Sequence, residues 1–217
     1  MENYLAVFDF DSTLINQEII DELAIRAGRG AQVAAITKAA MVGIIPYEES
    51  LKRRVEALAG LTTGDLQAVA DAVTYRPGFL KLMVHLKTRG FKIAVISGTF
   101  ACMIDRLPHR DQFDAIRVND LLMADGKLTG EVEVNVTDNK GVLLQSLQQR
   151  FGVSMARTLA VGDGATDVPM FKRSGFSIAL HAKPAVRAQA SLALDVDNLE
   201  ELVPRIEAHF FHSLGPA

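Results

Sequence analysis

Short apolar runs, each ending in a polar or glycine-containing loop, recur along this chain of 217 residues and restrict its fold more than any other feature. Near-continuous apolar strands of this length suit a parallel sheet that is buried on both faces. Helical patterns lie between the runs, and this alternation predicts a doubly wound α/β fold. The runs occupy residues 5–8, 93–96, 159–161, 177–180 and 192–194.

Two segments depart from the alternation. Residues 17–75 contain four amphipathic helical patterns and no convincing strand, which predicts a helical insertion after the first strand, closed by Arg76-Pro77-Gly78. The pair Asp125-Gly126 is typical of a tight turn, and residues 131–136 after it alternate with a period of two. We therefore expect a β-hairpin beside the parallel sheet.

Apolar spacing also predicts which helix faces are buried. The second helix of the insertion is expected to bury Val33, Ile36, Ala40 and Met41. The helix that follows the insertion is expected to bury Phe79, Leu80, Met83 and Leu86.

Composition excludes several classes of protein. Apolar residues make up 49% and charged residues 23%, as in globular domains, so a disordered chain is excluded. A net charge of −3, the lack of a basic run and an aromatic content of 6% argue against a partner that is nucleic acid or an anionic membrane. The longest uncharged apolar run, residues 93–104, is too short to span a membrane, and the N-terminus lacks the features of a signal peptide. We expect a soluble, cytoplasmic protein.

Carboxylates follow two of the predicted strands. Asp9 and Asp11 end the first run, and Asp163 and Asp167 lie in the loop after the run at 159–161. Ligands of open α/β sheets bind at the carboxyl ends of strands, and crowded carboxylates there are costly without a cation. The pattern therefore indicates a divalent metal site. Taken alone, the Asp-x-Asp pair also fits a metal-dependent glycosyltransferase, and that alternative stays open.

Two further residues suit phosphate chemistry. Ser97 follows the second run with Gly98, and its hydroxyl and the loop N–H groups suit either an anion or an ordinary helix N-cap. Lys140 stands in the first turn of a predicted helix, where a cation opposes the helix dipole. Among four carboxylates, such a cation has a use in neutralising a phosphoryl group and its nucleophile.

The four sites, in this order, resemble the motifs of the haloacid-dehalogenase superfamily of phosphohydrolases. Segments 18–24, 36–41 and 49–55 are similar to the cap of its phosphoserine phosphatases, and the resemblance covers nearly the whole chain. It implies a Rossmann-like core domain over residues 1–16 and 76–217 and a helical-bundle cap over residues 17–75. The motif residues are Asp9, Asp11 and Thr13, then Ser97, then Lys140, then Gly162 to Gly164 with Asp167.

The resemblance also implies a mechanism that depends on Mg²⁺. Asp9 would attack phosphorus and form an aspartyl-phosphate, and Asp11 would protonate the leaving group and then activate water. Lys140 would neutralise charge, while Ser97 and the Gly98 backbone would bind the phosphoryl oxygens. The metal would be held by the Asp9 side chain, the Asp11 carbonyl and Asp163, with Asp167 supporting the site.

The substrate that the resemblance implies is O-phosphoserine, a small phosphorylated amino acid whose hydrolysis yields serine in serine biosynthesis. Glu18 would bind its amino group and Arg54 its carboxylate. Met41 and Tyr47 would line the pocket, and Thr166 completes the predicted substrate-binding set. The protein would act as a monomer or a homodimer.

Three residues depart from the family pattern. Thr166 replaces a common Asn, Thr99 replaces a common Gly after Ser97-Gly98, and Tyr47 stands where Phe is usual. The Cβ of Thr99 would be unfavourable if that position required a positive φ. These differences leave open a different small phosphate ester, a phosphotransferase, and a binding module without catalytic activity.

Overall fold

A computed structural model describes residues 3–211, so the outer ends of the predicted core domain, residues 1–2 and 212–217, lie outside the described residues. Strands and helices alternate through most of this range, in agreement with the predicted α/β class. The strands are β1 Tyr4–Phe8, β2 Phe91–Phe100, β3 Ala115–Ala124, β4 Lys127–Glu133, β5 Thr158–Gly162, β6 Phe176–Leu180 and β7 Leu192–Leu194. The helices are α1 Ile19–Arg26, α2 Gly30–Met41, α3 Tyr47–Glu56, α4 Thr63–Ala72, α5 Phe79–Thr88, α6 Ala101–Ile104, α7 Lys140–Phe151, α8 Val168–Phe171, α9 Pro184–Arg187 and α10 Leu202–Ile206.

The strands of the described residues form one sheet in the order β4-β3-β2-β1-β5-β6-β7. All neighbours pair in parallel except β3 and β4, which are antiparallel. The chain proceeds outward from β1 in one direction through β2 and in the other through β5, which makes β1 the point where strand order reverses. In open α/β sheets the ligand crevice lies at the carboxyl ends of the strands at this point.

Both faces of the sheet are covered, as the continuous apolar runs predict. In β1, Ala6 and Phe8 point into the apolar core that α5 and the C-terminal helix cover, whereas Leu5 and Val7 point into the core under α7, α8 and α9. Alternation of side chains along a strand explains how one run serves two cores. The predicted doubly wound fold is confirmed.

The four predicted helices between β1 and α5 are present as α1 to α4. The two chain segments that connect them to the sheet pair with each other, because Ile15 and Tyr75 form an antiparallel bridge and the Arg76 N–H donates to the Leu14 carbonyl. Both connections therefore enter the sheet beside the carboxyl end of β1.

The predicted hairpin is formed by β3 and β4, which meet at Asp125 and Gly126. Its second strand also contacts the connection between α3 and α4. The Gly60 N–H donates to the Leu128 carbonyl at 2.9 Å, and the Leu128 N–H donates to the Leu61 carbonyl at 2.8 Å. The helical insertion is thus bound to the sheet at a second place, away from its connecting segments.

Some local predictions were wrong. The alternating residues 131–136 were expected in a strand, but β4 ends at Glu133, because the N–H groups of Asn135 and Val136 donate to the side-chain oxygen of Asn119 instead. Leu80 and Met41 are exposed rather than buried. Only Val33 is fully buried on α2, while Ile36 and Ala40 of the same predicted stripe are partly buried. Within residues 3–211, no helix combines the length and apolar character needed to cross a bilayer.

Candidate active site

Side chains from four elements meet at the carboxyl end of β1. Asp9 follows β1, Ser97 lies near the end of β2, Asp163 follows β5, and Lys140 begins α7. Because β1 lies between β2 and β5, the ends of these strands open onto one crevice. The Asp9 N–H donates to the carbonyl of Val161 in β5, which fixes the first of these carboxylates against the sheet.

Lys140 lies at the centre of this crevice. Its ammonium nitrogen is 2.7 Å from Asp9 Oδ2 and 2.6 Å from Asp167 Oδ1, and the side chain is only 2% exposed. Burial alone would lower the pKa of this lysine, but the charges of Asp167 and Asp9 outweigh burial and raise it. Lys140 is therefore a permanent cation, held where it orients two carboxylates. The next residue, Gly141, is needed for close packing, because a Cβ there would lie 2.6 Å from the Pro169 carbonyl.

Asp167 organises the loop after β5. Its Oδ2 accepts hydrogen bonds from the backbone N–H groups of Asp163, at 3.1 Å, and Gly164, at 2.9 Å. A Cβ at Gly162 would lie 2.4 Å from the Asp167 carboxyl, so this packing requires glycine. Burial and the charge of Asp9 raise the pKa of Asp167 to about 6, despite its contact with Lys140.

Asp163 is the carboxylate of this loop that faces the crevice. Its Oδ1 accepts a hydrogen bond from the Thr13 hydroxyl at 3.2 Å. Burial, together with the charges of Asp9 and Asp167, raises its pKa to about 8. Burial and the neighbouring carboxylates thus both disfavour a negative charge on Asp163 in the protein alone.

An acidic cluster suited to a cation results from this packing. Asp9, Asp163 and Asp167 each offer an oxygen, and these oxygens lie within 4.8 Å of one another. Carboxylate oxygens are the donors that Mg²⁺ and Ca²⁺ prefer. A divalent cation would offset the like charges of Asp9 and Asp167, which add to the effect of burial on Asp163, so the residues present fit such an ion.

Asp11 lies beside the cluster in a different environment. Its Oδ2 accepts a hydrogen bond from the backbone N–H of Ile19, at the start of α1, at 3.2 Å. Its Oδ1 is buried and has no hydrogen-bond partner among the described residues. Burial raises the pKa of Asp11 well above its usual value, and the charges of Glu18 and Asp9 add to the rise. The side chain is therefore suited to carry a proton.

Ser12 connects the carboxylate pair to the helical insertion. It has a left-handed backbone conformation, with φ of 56°, and its hydroxyl donates to Glu18 Oε1 at 2.6 Å. The buried guanidinium of Arg76 donates to the Ser12 carbonyl at 3.0 Å and supports this strained turn. Burial raises the pKa of Glu18, and the Ser12 hydroxyl opposes that rise.

A cavity of about 170 Å³ lies between the sheet and the helical insertion. The sheet side and the insertion side both contribute polar groups to its wall. The predicted site residues that line it are Asp9, Asp11, Glu18, Tyr47, Arg54, Ser97, Gly98, Lys140, Asp163 and Thr166. Asp167 lies behind this wall, in contact with Lys140. Met41 is not brought to the cavity: it ends α2 and is 62% exposed.

Two residues of α3 reach the cavity from the insertion. A Cβ built on Gly98 would lie 2.6 Å from the Tyr47 hydroxyl, so the tyrosine fits only because Gly98 lacks a side chain. Arg54 lies two turns further along α3, where its Nε donates to the Ser50 carbonyl at 3.4 Å. Burial lowers the pKa of Arg54 and raises that of Tyr47. A partly desolvated guanidinium favours an anionic partner.

Sequence reasoning missed Asn119. This fully buried side chain donates to the Gly98 carbonyl at 2.9 Å and accepts from two backbone N–H groups after β4, so it fixes the loop that follows Ser97. A polar residue inside the apolar sequence of β3 was the available signal. This signal was not used because the sequence did not show that β3 pairs with β2.

Known proteins similar to this chain match it over most of its length, including the residues of the candidate active site. Residues 6–172 match the family model described as haloacid dehalogenase-like hydrolase. Phosphoserine phosphatase of Methanocaldococcus jannaschii is 38% identical over 205 residues, which cover 94% of this chain and 97% of that protein. Two solved structures, a phospho-aspartyl intermediate analogue of phosphoserine phosphatase and a substrate-bound phosphoserine phosphatase complex, each superpose with a TM-score of 0.88 at 37% identity. Each comparison covers 94% of this chain and 99% of the other.

Proposed function

Because this chain belongs to the haloacid dehalogenase-like hydrolase family, we propose that it hydrolyses O-phosphoserine to serine and phosphate through an aspartyl-phosphate. The observation that carries the proposal is the buried Lys140, shared between Asp9 and Asp167, in contact with a cavity that Glu18 and Arg54 also line. The cavity thus combines a carboxylate nucleophile and its cation with groups of both charges for an amino acid. The similarity to phosphoserine phosphatases over nearly the whole chain supports the same conclusion.

Asp9 is the proposed nucleophile. Its Oδ2 is held by Lys140 and its Oδ1 accepts the N–H of Phe10 at 2.7 Å, so the carboxylate has a fixed orientation before substrate binds. Attack by Asp9 forms a bond to phosphorus while the bond from phosphorus to the seryl oxygen breaks. Lys140 lowers the repulsion between this carboxylate and the phosphoryl group. Ser97 and the Gly98 N–H would receive the phosphoryl oxygens at the end of β2.

Asp11 is the proposed general acid and base. Its raised pKa allows the carboxyl to hold a proton that the departing seryl oxygen requires. Once that proton has left, the Asp11 carboxylate can remove one from the water that cleaves the aspartyl-phosphate. The two carboxylates of the Asp-x-Asp pair thus take separate roles because their environments differ.

The metal of this site is proposed to be Mg²⁺, held by Asp9, Asp163 and the Asp11 carbonyl, with Asp167 in support. Bound there, the ion would neutralise charge on the carboxylates and on the phosphoryl oxygens. Its presence would also remove the cost of burying Asp163 among like charges.

Residues 17–75 are proposed to act as a substrate-selecting cap on a core made of residues 1–16 and 76–217. Glu18 would pair with the amino group of phosphoserine and Arg54 with its carboxylate, both from the insertion side of the cavity. Tyr47 and Thr166 complete the lining. Met41, exposed at the end of α2, stays outside this set.

The proposal is tested by a screen of phosphate release with and without Mg²⁺. Both enantiomers of O-phosphoserine, O-phosphothreonine, glycerol phosphate and 4-nitrophenyl phosphate serve as substrates. We expect metal-dependent release that is fastest with phosphoserine, and its loss in Asp9→Asn. Faster release from another ester would overturn the substrate, whereas full activity of Asp9→Asn would overturn the nucleophile.

A further inference from the structure

The hydroxyl of Tyr47 projects across the cavity toward the sheet. Tyr47 is the first residue of α3, and its half-buried side chain forms part of the cavity wall. A Cβ built on Gly98 would lie 2.6 Å from the hydroxyl oxygen but 3.9 Å from Cζ, the ring carbon that carries this oxygen. The hydroxyl, rather than the ring, is therefore the part of the side chain that lies nearest Gly98.

The ring of Tyr47 is held by packing on the insertion side of the cavity. It contacts the apolar core, in which Leu51, one turn further along α3, is only 2% exposed. Residues four apart lie on the same face of a helix, so both side chains point to one side of α3. Tyrosine combines an apolar body with a polar tip, and here the body is packed while the tip reaches the cavity.

The hydroxyl is available to bind a ligand. Among residues 3–211 it forms no hydrogen bond with another residue. Lys140 and Ser97 line the same cavity, and Oγ of Ser97 accepts the N–H of Thr99 at 3.4 Å, which leaves its own proton for another acceptor. Phenol and alcohol hydroxyls and an ammonium group are all hydrogen-bond donors. Donors thus meet near Gly98 from both sides of the cavity, an arrangement that suits an anion.

We propose that the Tyr47 hydroxyl binds the phosphoryl group of the substrate, donating to one of its oxygens when the group lies between Asp9 and Gly98. The inference rests on the proposed function, in which Asp9 attacks phosphorus while Ser97 and the Gly98 N–H receive the phosphoryl oxygens. Tyr47 adds a donor from the opposite side of the cavity. Helix α3 then contacts both ends of the substrate, the phosphoryl group through Tyr47 and the carboxylate through Arg54.

This contact is made with the part of the substrate that all phosphate esters share. The hydroxyl should therefore act on every ester to the same extent, in contrast to Glu18 and Arg54, which are proposed to recognise the amino acid. Phosphoryl transfer spreads negative charge over the non-bridging oxygens, and fixed donors directed at these oxygens stabilise that charge. Removal of the hydroxyl is expected to slow the reaction and to weaken the binding of inorganic phosphate.

The first experiment compares kcat/KM of wild type and Tyr47→Phe for O-phosphoserine, glycerol phosphate and 4-nitrophenyl phosphate, each with Mg²⁺. Tyr47→Phe keeps the ring and removes a single oxygen. We expect kcat/KM to fall about tenfold to a hundredfold, the usual range for a hydrogen bond to a charged group, and by factors that agree within about threefold among the esters. Tyr75→Phe is the matched control, because it removes the same oxygen outside the cavity and should leave all three values within about twofold.

A second measurement separates contact with the substrate from displacement of α3. Inorganic phosphate and serine, the two proposed products, are tested as inhibitors of the hydrolysis of 4-nitrophenyl phosphate. In Tyr47→Phe the inhibition constant of phosphate should rise about tenfold or more. That of serine should stay within about twofold, since serine is proposed to bind Glu18 and Arg54. An equal rise in both constants would overturn the proposal, because it would show that the change displaces α3, which carries Arg54.

The remaining outcomes also decide the role of Tyr47. A loss confined to phosphoserine would overturn the proposal, because it would place the hydroxyl on the amino acid part of the substrate. Unchanged values for all three esters would overturn it as well. If Tyr47→Phe does not fold, Tyr47→Leu is measured with the same criteria.

Failure of the proposed substrate gives a different result. A wild-type enzyme that cleaves glycerol phosphate and 4-nitrophenyl phosphate but not phosphoserine would overturn the substrate. The two esters that are cleaved, together with the inhibition constant of inorganic phosphate, then decide the role of Tyr47.

Discussion

At the scale of single residues, the neighbours Arg53 and Arg54 show how one helix separates two identical side chains. Arg53 is exposed and pairs with Glu49 on the solvent face of α3, whereas Arg54 lines the cavity. We expect Arg54→Ala to raise KM for phosphoserine relative to 4-nitrophenyl phosphate by about tenfold to a hundredfold, the usual worth of a hydrogen-bonded charge. Steady-state kinetics on both esters measures this difference.

Arg53→Ala is the control for this prediction, since it removes the same side chain from the same helix without touching the cavity. It should leave both KM values within about twofold, as is usual for a surface ion pair. A rise of KM that is equal for both esters in Arg54→Ala would remove the proposed contact with the substrate carboxylate.

Gly98 gives a second prediction for single residues. A methyl group there would lie 2.6 Å from the Tyr47 hydroxyl, so Gly98→Ala forces the Tyr47 ring out of its place in the cavity wall. We expect a loss of kcat/KM of about tenfold or more, in line with the cost of displacing groups that position a substrate. Tyr47→Phe removes the clashing oxygen and should recover part of the loss in the double variant, as measured by a double-mutant cycle. Additive effects of the two changes would contradict the steric explanation.

At the scale of elements, α4 depends on a reciprocal cap at its start. The Thr62 hydroxyl accepts the N–H of Asp65, and the Asp65 carboxylate accepts the N–H of Thr62. We expect Thr62→Ala to lower the free energy of unfolding by about 1 kcal/mol, the usual value of an N-cap. Urea unfolding followed by circular dichroism measures the change. Thr63→Ala, one residue further along, should change stability by less than half as much.

The same cap makes the stability of α4 depend on pH. Contacts with Thr62 and Arg26 lower the pKa of Asp65 to about 2. A carboxylate with a depressed pKa in the folded state stabilises the fold above its ordinary pKa and loses this effect as the pH falls towards about 2. The difference in stability between wild type and Asp65→Asn should therefore shrink on acidification below about pH 4.

The sequence could predict elements whose signal is local. Apolar runs located the strands β1, β2, β5, β6 and β7 and the carboxylates that follow β1 and β5, and periodicity located all four helices of the insertion. The pairing of β3 with β2 as well as with β4 could not be predicted from the sequence, because strand pairing depends on partners that are distant along the chain. Asn119, which links these strands, was missed for the same reason. The exposure of Met41 was not predictable either, since an apolar stripe does not say whether another element covers it.

At the scale of the whole molecule, the carboxylate cluster makes the stability of the fold depend on pH and on a bound metal ion. The pKa of Asp163 is raised to about 8 and that of Asp167 to about 6 in the folded, metal-free protein. Groups whose pKa is raised by folding stabilise the fold only while protonated, so this contribution is lost as pH rises through those values. We expect the metal-free protein to lose stability between about pH 5 and about pH 8 from this cause.

Thermal unfolding with EDTA or with excess Mg²⁺ at these two pH values checks the prediction. The gain in Tm from Mg²⁺ should be larger at the higher pH, because protons no longer compete with the metal for the carboxylates. Asp163→Asn should flatten the dependence on pH in EDTA. A gain in Tm that is the same at both pH values would contradict the assignment of these carboxylates to the metal.

The backbone contact between Leu128 of the hairpin and the connection of α3 to α4 has a consequence for how the cavity can open. The hydrogen bonds of Leu128 hold the insertion at Gly60 and Leu61, and so divide this long segment into two shorter ones with less conformational entropy to gain on release. A body held at two separated places keeps one easy motion, a rotation about the line through them. Substrate entry is therefore expected to proceed by a tilt of the helices about that line rather than by their detachment from the sheet.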